Sequence, residues 1–225
     1  MSLFCTKRRP ALFVLAAAAV LLLVGAGPRT AAAQCQLDAS KSPVENDGAA
    51  LVNFQDITKG SGASGVTVIE YFDPNCPHCK DFHQTMKKVV ADHREDVRFV
   101  YKPFPLRRSS LPEVQALYVA AQSGKFGEML EGQYARQSRS GISMSDLRAI
   151  ASEIGMDPQV LANRVEQGEY QQQVLRQRKR AVDAGVSSTP TVLVNGHFVK
   201  TRTQQCLNAF IEQAQSGTLG ASASK

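Results

Sequence analysis

A second pair of closely spaced metal ligands is missing from this chain. Cys76-x-x-Cys79-x-x-x-His83 has ligand-like spacing, but no other Cys-x-x-Cys and no His-x-x-x-His accompanies it, and Cys35 and Cys206 stand alone and distant. A structural zinc takes four ligands, commonly as two such pairs, so no resident metal is expected. A long apolar run is missing as well. The stretch from Ala11 to Val24 is shorter than the roughly 20 residues that hydrocarbon demands of a spanning helix, which argues against a retained anchor. It follows Lys7, Arg8 and Arg9 and precedes Gly25, Gly27, Pro28 and Ala31-Ala32-Ala33. That is the three-part layout of a secretory signal cut after Ala33. Pro10 and Ala11 follow Arg8-Arg9 where a twin-arginine signal wants other residues, and Gln34 precedes Cys35 where a lipoprotein signal places a small one.

A strong basic face is absent once that leader is removed. The whole chain carries 26 basic and 20 acidic residues, a net charge of +6. Four of the basic residues and none of the acids lie in the first 33, so the mature chain is near +2. Nucleic-acid binding wants a basic surface interleaved with aromatics, and no nucleic acid is expected as a partner. The cluster Arg176, Arg178, Lys179 and Arg180 follows Glu166 and Glu169 and reads as a solvated helix face. No internal repeat occurs.

What is present is an alternation of strand and helix patterns. "VTVIEYF", 66–72, is β-branched and aromatic and reads as a buried strand that Asp73 and Pro74 end. A helical pattern runs from Pro77 to about Asp92, with Phe82, Met86, Val89 and Val90 on one side. "VRFVYKPF", 97–104, is a second strand. From about Ser110 to Ala184 only helical segments follow, among them one capped by Ser143 with Asp146 and one capped by Asp157 with Pro158 behind it. "TPTVLVNGHFVK", 189–200, is a hairpin turning at Asn195-Gly196, and Gln204–Gln215 closes as a helix. The order is βα β, a helical block, then ββα.

The cysteines carry the chemistry. Cys5 leaves with the leader, so four remain: Cys35, Cys76, Cys79 and Cys206. As a staple, a closed loop of about four residues would be worth only roughly 2 kcal/mol in the chain-entropy model, whereas a Cys35–Cys206 link would give roughly 5 kcal/mol as an upper bound. Stability alone would not choose the 76–79 pair. Redox exchange fits better. Cys76 falls at a helix N-terminus with Pro77 in the first turn, where unpaired N–H groups and the positive dipole end favour the thiolate. His78 can add a donor or a positive charge. Cys79, one turn deeper, is the natural resolving thiol.

"VIEYFDPNCPHCK", the helical block, "STPTVLVNG" before the last hairpin and the closing helix together resemble the DsbA-like thiol:disulfide oxidoreductase family over about residues 50–215. The resemblance implies an α/β, thioredoxin-like fold (βαβ…ββα) with an inserted all-helical sub-domain. Together with the leader layout, the polar and small residues of 34–50 and the Ser-, Ala- and Gly-rich end, this divides the chain into a signal peptide 1–33, a flexible arm 34–50, a thioredoxin-like domain 51–105 and 186–215, an inserted helical sub-domain 106–185 and a disordered tail 216–225. It further implies that Thr189-Pro190 is cis, faces the active cysteines and binds substrate peptide. The activity implied is donation of a Cys76–Cys79 disulfide to newly exported cysteine-containing proteins in the periplasm. A membrane-bound thiol oxidase would renew it, and no cofactor beyond the cysteine pair is required. A disulfide reductase or isomerase on the same fold is the rival, and a non-catalytic zinc- or peptide-binding module is another.

Three further expectations concern single residues. Glu70 interrupts an apolar strand; it either relays a proton for Cys79 through a raised pKa or pairs with Lys102 or solvent. Cys35 and Cys206 are read as a structural disulfide tying the arm to the last helix, against free thiols or an intermolecular bridge. His83, His93 and His197 are read as surface or packing residues.

Overall fold

Thr67–Phe72 (β2, preceded by a short strand β1, Ile57–Lys59) is buried along its whole length, as an apolar strand must be when both faces of its sheet are covered. The computed structural model describes residues 35–138 and 140–221, together with Met1. The leader expected over 1–33 and the last four residues of the tail lie outside the described residues. After β2 the chain forms α1 (Pro77–His93) and returns as β3 (Arg98–Pro103), parallel to β2 with Thr67 opposite Arg98 and Phe72 opposite Pro103. Five helices follow: α2 (Leu111–Gln122), α3 (Phe126–Ala135), α4 (Met144–Glu153), α5 (Pro158–Glu166) and α6 (Gln171–Asp183). Then come β4 (Thr191–Val194), β5 (His197–Phe198) and α7 (Gln204–Gln215). The sheet order is β1-β3-β2-β4-β5, with β4 antiparallel to β2 and β1 antiparallel to β3.

Strand alternation sorts the core into two layers. Val68 and Phe72 of β2 join Phe99 and Tyr101 of β3 in one cluster with Met86 and Val89 of α1 and Leu207 and Ile211 of α7. Ile69 and Tyr71 join Val100, Leu193, Phe198 and Ala181 on the other side. The same alternation corrects one sequence expectation. Glu70 lies opposite Tyr101, while Lys102 lies opposite Tyr71, so the pleat sends Glu70 and Lys102 to opposite faces. Lys102 pairs instead with Asp56, Nζ to Oδ2 at 2.5 Å, both side chains buried. Asp56 also accepts from Gln177 Nε2 at 3.0 Å, and Gln177 accepts from the Tyr118 hydroxyl at 2.5 Å. A buried charge is tolerated only when paired and hydrogen-bonded. This chain of partners fastens α2 and α6 to the sheet edge.

The helix caps stand where the sequence puts them. Ser143 Oγ accepts from the Asp146 N–H at 3.1 Å while Asp146 accepts from the Ser143 N–H at 3.2 Å. Asp157 accepts from Gln159 and Val160 at the start of α5. The edge strand β1 was not foreseen: three residues carry too short a pattern to read. It ends at Gly60, where φ is +81° and an added Cβ would fall 2.1 Å from the Val97 carbonyl oxygen, so only glycine fits.

The arm expected to be flexible is tied down. Cys35 is bonded to Cys206, Leu37 bridges Val199, and the Val44 N–H reaches the Gly196 carbonyl at 3.0 Å. The free edge of β5 offers unpaired backbone groups, and the arm fills them. Gly196 permits the approach, since a Cβ there would sit 2.3 Å from the Val44 oxygen. At the other end, residues 216–221 of the tail are also held: the Thr218 N–H returns to the Gln213 carbonyl at 2.8 Å.

Candidate active site

Cys76 is the N-cap residue of α1, with Pro77 in the first turn. The loop carrying it from β2 is braced on two sides. Asp73 accepts from the Leu106 N–H at 2.7 Å and the Asn75 N–H at 2.8 Å, and its carbonyl accepts from the Cys76 N–H. From the helical insertion, Gln137 Nε2 donates to the carbonyls of Pro74 at 2.7 Å and Cys76 at 3.0 Å. Asp73 was foreseen only as the end of a strand, and Gln137 not at all: its nearest partner is 61 residues away in sequence, and no local pattern announces such a contact.

The two thiols are free and differ sharply in environment. The Cys76 thiol is lowered to about 5 from an ordinary 9.0. The Cys79 thiol, donating to the Cys76 sulfur, contributes most; desolvation opposes it; the Thr189 side chain and the backbone N–H groups of Cys79 and His78 add to it. Thr189 Oγ1 is buried with no hydrogen-bond partner. The Cys76 Sγ–H donates to the Thr189 carbonyl oxygen at 3.6 Å, and the Thr189-Pro190 bond is cis. Cys79 has no exposed surface. Burial above all, and then its bond to Cys76, pushes its thiol far above the ordinary value. Pro77 and His78 are exposed, and the donor His78 supplies is its backbone N–H.

Glu70 is 3% exposed, and burial raises its carboxyl to about 8. No hydrogen bond joins it to either thiol. Tyr134 of α3, a residue not singled out in the sequence, feels the charges of Glu70, Cys79, Cys76 and Asp73 together. His83 packs on the Tyr134 ring at 5.2 Å between centroids, and His93 and His197 are half-buried. Among the described residues no group of three or more His, Cys, Asp or Glu is placed to hold a metal ion.

Two grooves open beside Cys76. One, of about 580 Å³, is lined by Cys76, Lys80, Leu106, Arg107 and Gln137 among others. The other, of about 490 Å³, is lined by His78, Asp81, Phe82, Thr189, Pro190 and Arg202.

The model of the thioredoxin family matches residues 53–213, nearly all of the sheet and helices just described. The chain belongs to that family. Within it the fold is the DsbA-like one, with helices inserted between β3 and β4. BdbD from Bacillus subtilis in its oxidised form is 21% identical, with a TM-score of 0.66 over 72% of this chain and 94% of that one. A thioredoxin-like oxidoreductase from Silicibacter pomeroyi DSS-3 is 24% identical, with a TM-score of 0.66 over 75% and 97%. The thiol-disulfide exchange protein alpha-DsbA2 from Wolbachia pipientis is 17% identical, with a TM-score of 0.64 over 77% and 100%. Among curated sequences, a Na(+)/H(+) antiporter NhaA 1 from Mycobacterium sp. (strain KMS) is 32% identical over 166 residues, 69% of this chain. The match takes in 26% of the antiporter, so the chain spans about a quarter of the curated relatives it resembles.

In this thioredoxin-family site one thiol is held ionised at neutral pH and the other is shielded and protonated. Thiol–disulfide exchange needs that asymmetry: one sulfur that bonds to and leaves a partner readily, and a second, close by, that does not compete for it.

Proposed function

We propose that the chain is an exported thiol:disulfide oxidoreductase that gives its Cys76–Cys79 disulfide to cysteine-containing client proteins. The observation that carries this reading is the pair of free thiols at the start of α1, Cys76 as its N-cap residue and Cys79 one turn deeper and fully buried, with the Cys76 thiol lowered to about 5. A lowered Cys76 thiol favours the thiolate, and so the reduced form, which makes the disulfide a stronger oxidant. A client thiolate attacks Cys76. The Cys76–Cys79 bond breaks, and the Cys79 sulfur leaves with the electron pair and takes up a proton. A second client thiolate then attacks the client sulfur of the mixed disulfide, and Cys76 departs as a thiolate. The client loses two electrons and two protons; the site gains the electrons and one proton, and the other proton goes to solvent.

In this scheme Glu70 relays the proton to Cys79 and takes one back from solvent, so the site as a whole gains one proton. A carboxyl at about 8 is largely protonated at neutral pH and has that proton to give. Thr189 and Pro190 hold the client backbone against Cys76. No cofactor beyond the cysteine pair enters, and a separate thiol oxidase in the membrane restores the disulfide. Two solved neighbours are themselves described as an oxidoreductase and a thiol-disulfide exchange protein, in agreement with this reading. Export is supported by the leader pattern and by the Cys35–Cys206 disulfide, a bond that persists in oxidising compartments. Among the described residues no helix is long and apolar enough to cross a membrane.

The reduction potential tests the direction. Equilibration with glutathione should give a value well toward the oxidising end, above about −180 mV; a value near about −270 mV would assign the chain to reduction instead. With Cys76 ionised and Cys79 protonated across neutral pH, reduction takes up one proton for two electrons. The potential should therefore fall by about 30 mV per pH unit between pH 6 and 8, and not by about 60 mV.

A further inference from the structure

The groove on the insertion side of Cys76 does not end beside the cysteine. Its lining residues Leu106 and Arg107 also line a second cavity of about 380 Å³, which continues over Arg108, Leu111, Leu175 and Arg178. The two cavities adjoin at Leu106 and Arg107, and together they form a trough from the reactive sulfur along the loop after β3 toward α6. Its floor carries aliphatic surface that a monomer leaves uncovered: Leu106 is 41% and Leu175 43% exposed.

The charged side chains along the trough are cationic but for one. Lys80 and Arg107 flank the end near Cys76, and Arg108 and Arg178 the far end. Lys80, Arg107 and Arg108 are exposed and, among the described residues, enter no salt bridge, although the charge of Arg107 reaches Asp73. Arg178 is fixed, its Nε donating to the Pro105 carbonyl at 3.1 Å and its guanidinium lying 5.3 Å from the Phe104 ring centroid. The single carboxylate in the lining is Asp73, 2% exposed and already accepting from two backbone N–H groups. The opposite groove, beside Pro190, carries one charge of each sign in Asp81 and Arg202.

We infer that this trough selects clients whose reacting cysteine is flanked by acidic residues interspersed with aliphatic ones, with the flanking segment laid from Cys76 over Leu106 toward Leu175. The inference rests on the disulfide-donor reading and names the client class of that same site. Leu106 and Leu175 take the aliphatic side chains, and Lys80, Arg107 and Arg108 take the carboxylates. Unneutralised cations beside the reacting sulfur raise the local concentration of acidic segments and their encounter rate, an effect that salt screens.

The test uses the oxidised mature protein and two dithiol peptides of one sequence, with Glu-Leu flanks around the cysteines in the first and Lys-Leu flanks in the second. Acidic neighbours raise a peptide thiol's pKa and slow it intrinsically. Each rate is therefore divided by the same peptide's rate with a neutral small disulfide. The normalised kcat/KM should favour the acidic peptide by about tenfold at low ionic strength, and the ratio should shrink toward about twofold in about 0.5 M salt. In the Arg107→Ser/Arg108→Ser variant the low-salt ratio should fall below about threefold. Equal rates, a preference for the lysine peptide, or a preference that survives both salt and the double substitution would overturn the inference. Dithiothreitol, which is uncharged, separates the two levels. If the wild-type protein exchanges with dithiothreitol but treats the peptides alike, only the selectivity is lost. If it fails to exchange with dithiothreitol, the donor reading fails and this inference with it.

Discussion

Cys76→Ser protein is expected to transfer no disulfide: oxidation of a reduced client should slow by at least about a thousandfold, the scale on which loss of a reacting nucleophile acts in covalent enzymes. Serine is a favoured helix N-cap residue where Cys76 makes no side-chain cap bond, so the loss should come without unfolding. Cys79→Ser should behave differently. Cys76 keeps its place at the N-terminus of α1, where the positive end of the helix favours a thiolate, so it should still form mixed disulfides. With no neighbouring thiol to resolve them, they should accumulate. Non-reducing electrophoresis after incubation with a client disulfide distinguishes the two: covalent adducts with Cys79→Ser, none with Cys76→Ser. Equal client oxidation by Cys76→Ser and wild type would remove Cys76 from the chemistry.

Removing the other pair should act on stability and leave the chemistry alone. The Cys35–Cys206 disulfide spans 171 residues. A loop of that size gives about 5 kcal/mol at most in the chain-entropy model, and native disulfides typically deliver about 2–4 kcal/mol. Cys206 is 3% exposed in α7, so its serine counterpart also buries a hydroxyl. The Cys35→Ser/Cys206→Ser variant should therefore lose about 2–5 kcal/mol in urea unfolding, and its Tm should fall by about 2–4 °C for each of them. The Cys76 thiol, which receives its donors from α1 and Thr189, should retain its reactivity. An unchanged urea midpoint would show that the arm is held by its backbone bonds to β5 without the sulfur link.

The parts of the fold that were legible in the sequence are those with local causes. β2 and α1 are declared by their periodicity, and the α4 and α5 starts by Ser143, Asp146 and Asp157. The Asn195-Gly196 turn is a short-range signal that the structure bears out with positive φ at both residues. What was not legible depends on distant partners. The arm reads as polar and small, yet it is ordered because β5 has a free edge and Gly196 lets it approach. Lys102 was a natural partner for Glu70 by charge, but strand parity and the nearness of Asp56 are properties of the assembled sheet. At the site itself, Cys76, Cys79 and the helix start were evident from spacing. Gln137, Tyr134 and Asp73 were not, because they act through contacts made only when the insertion folds over the β2–α1 loop.

The account depends on Cys76 being a thiolate at neutral pH, and the titration of that sulfur tests it most directly. A thiol whose folded value is depressed stabilises the reduced protein above its ordinary value of 9.0, and loses that contribution as pH falls through about 5. The unfolding free energy of the reduced protein should therefore rise relative to that of the disulfide form as pH rises across that window. The ultraviolet thiolate absorbance of the reduced protein, corrected by the Cys76→Ser variant, should rise with a midpoint near 5 and be complete by pH 7. A midpoint near 9.0, the ordinary thiol value, would contradict the account.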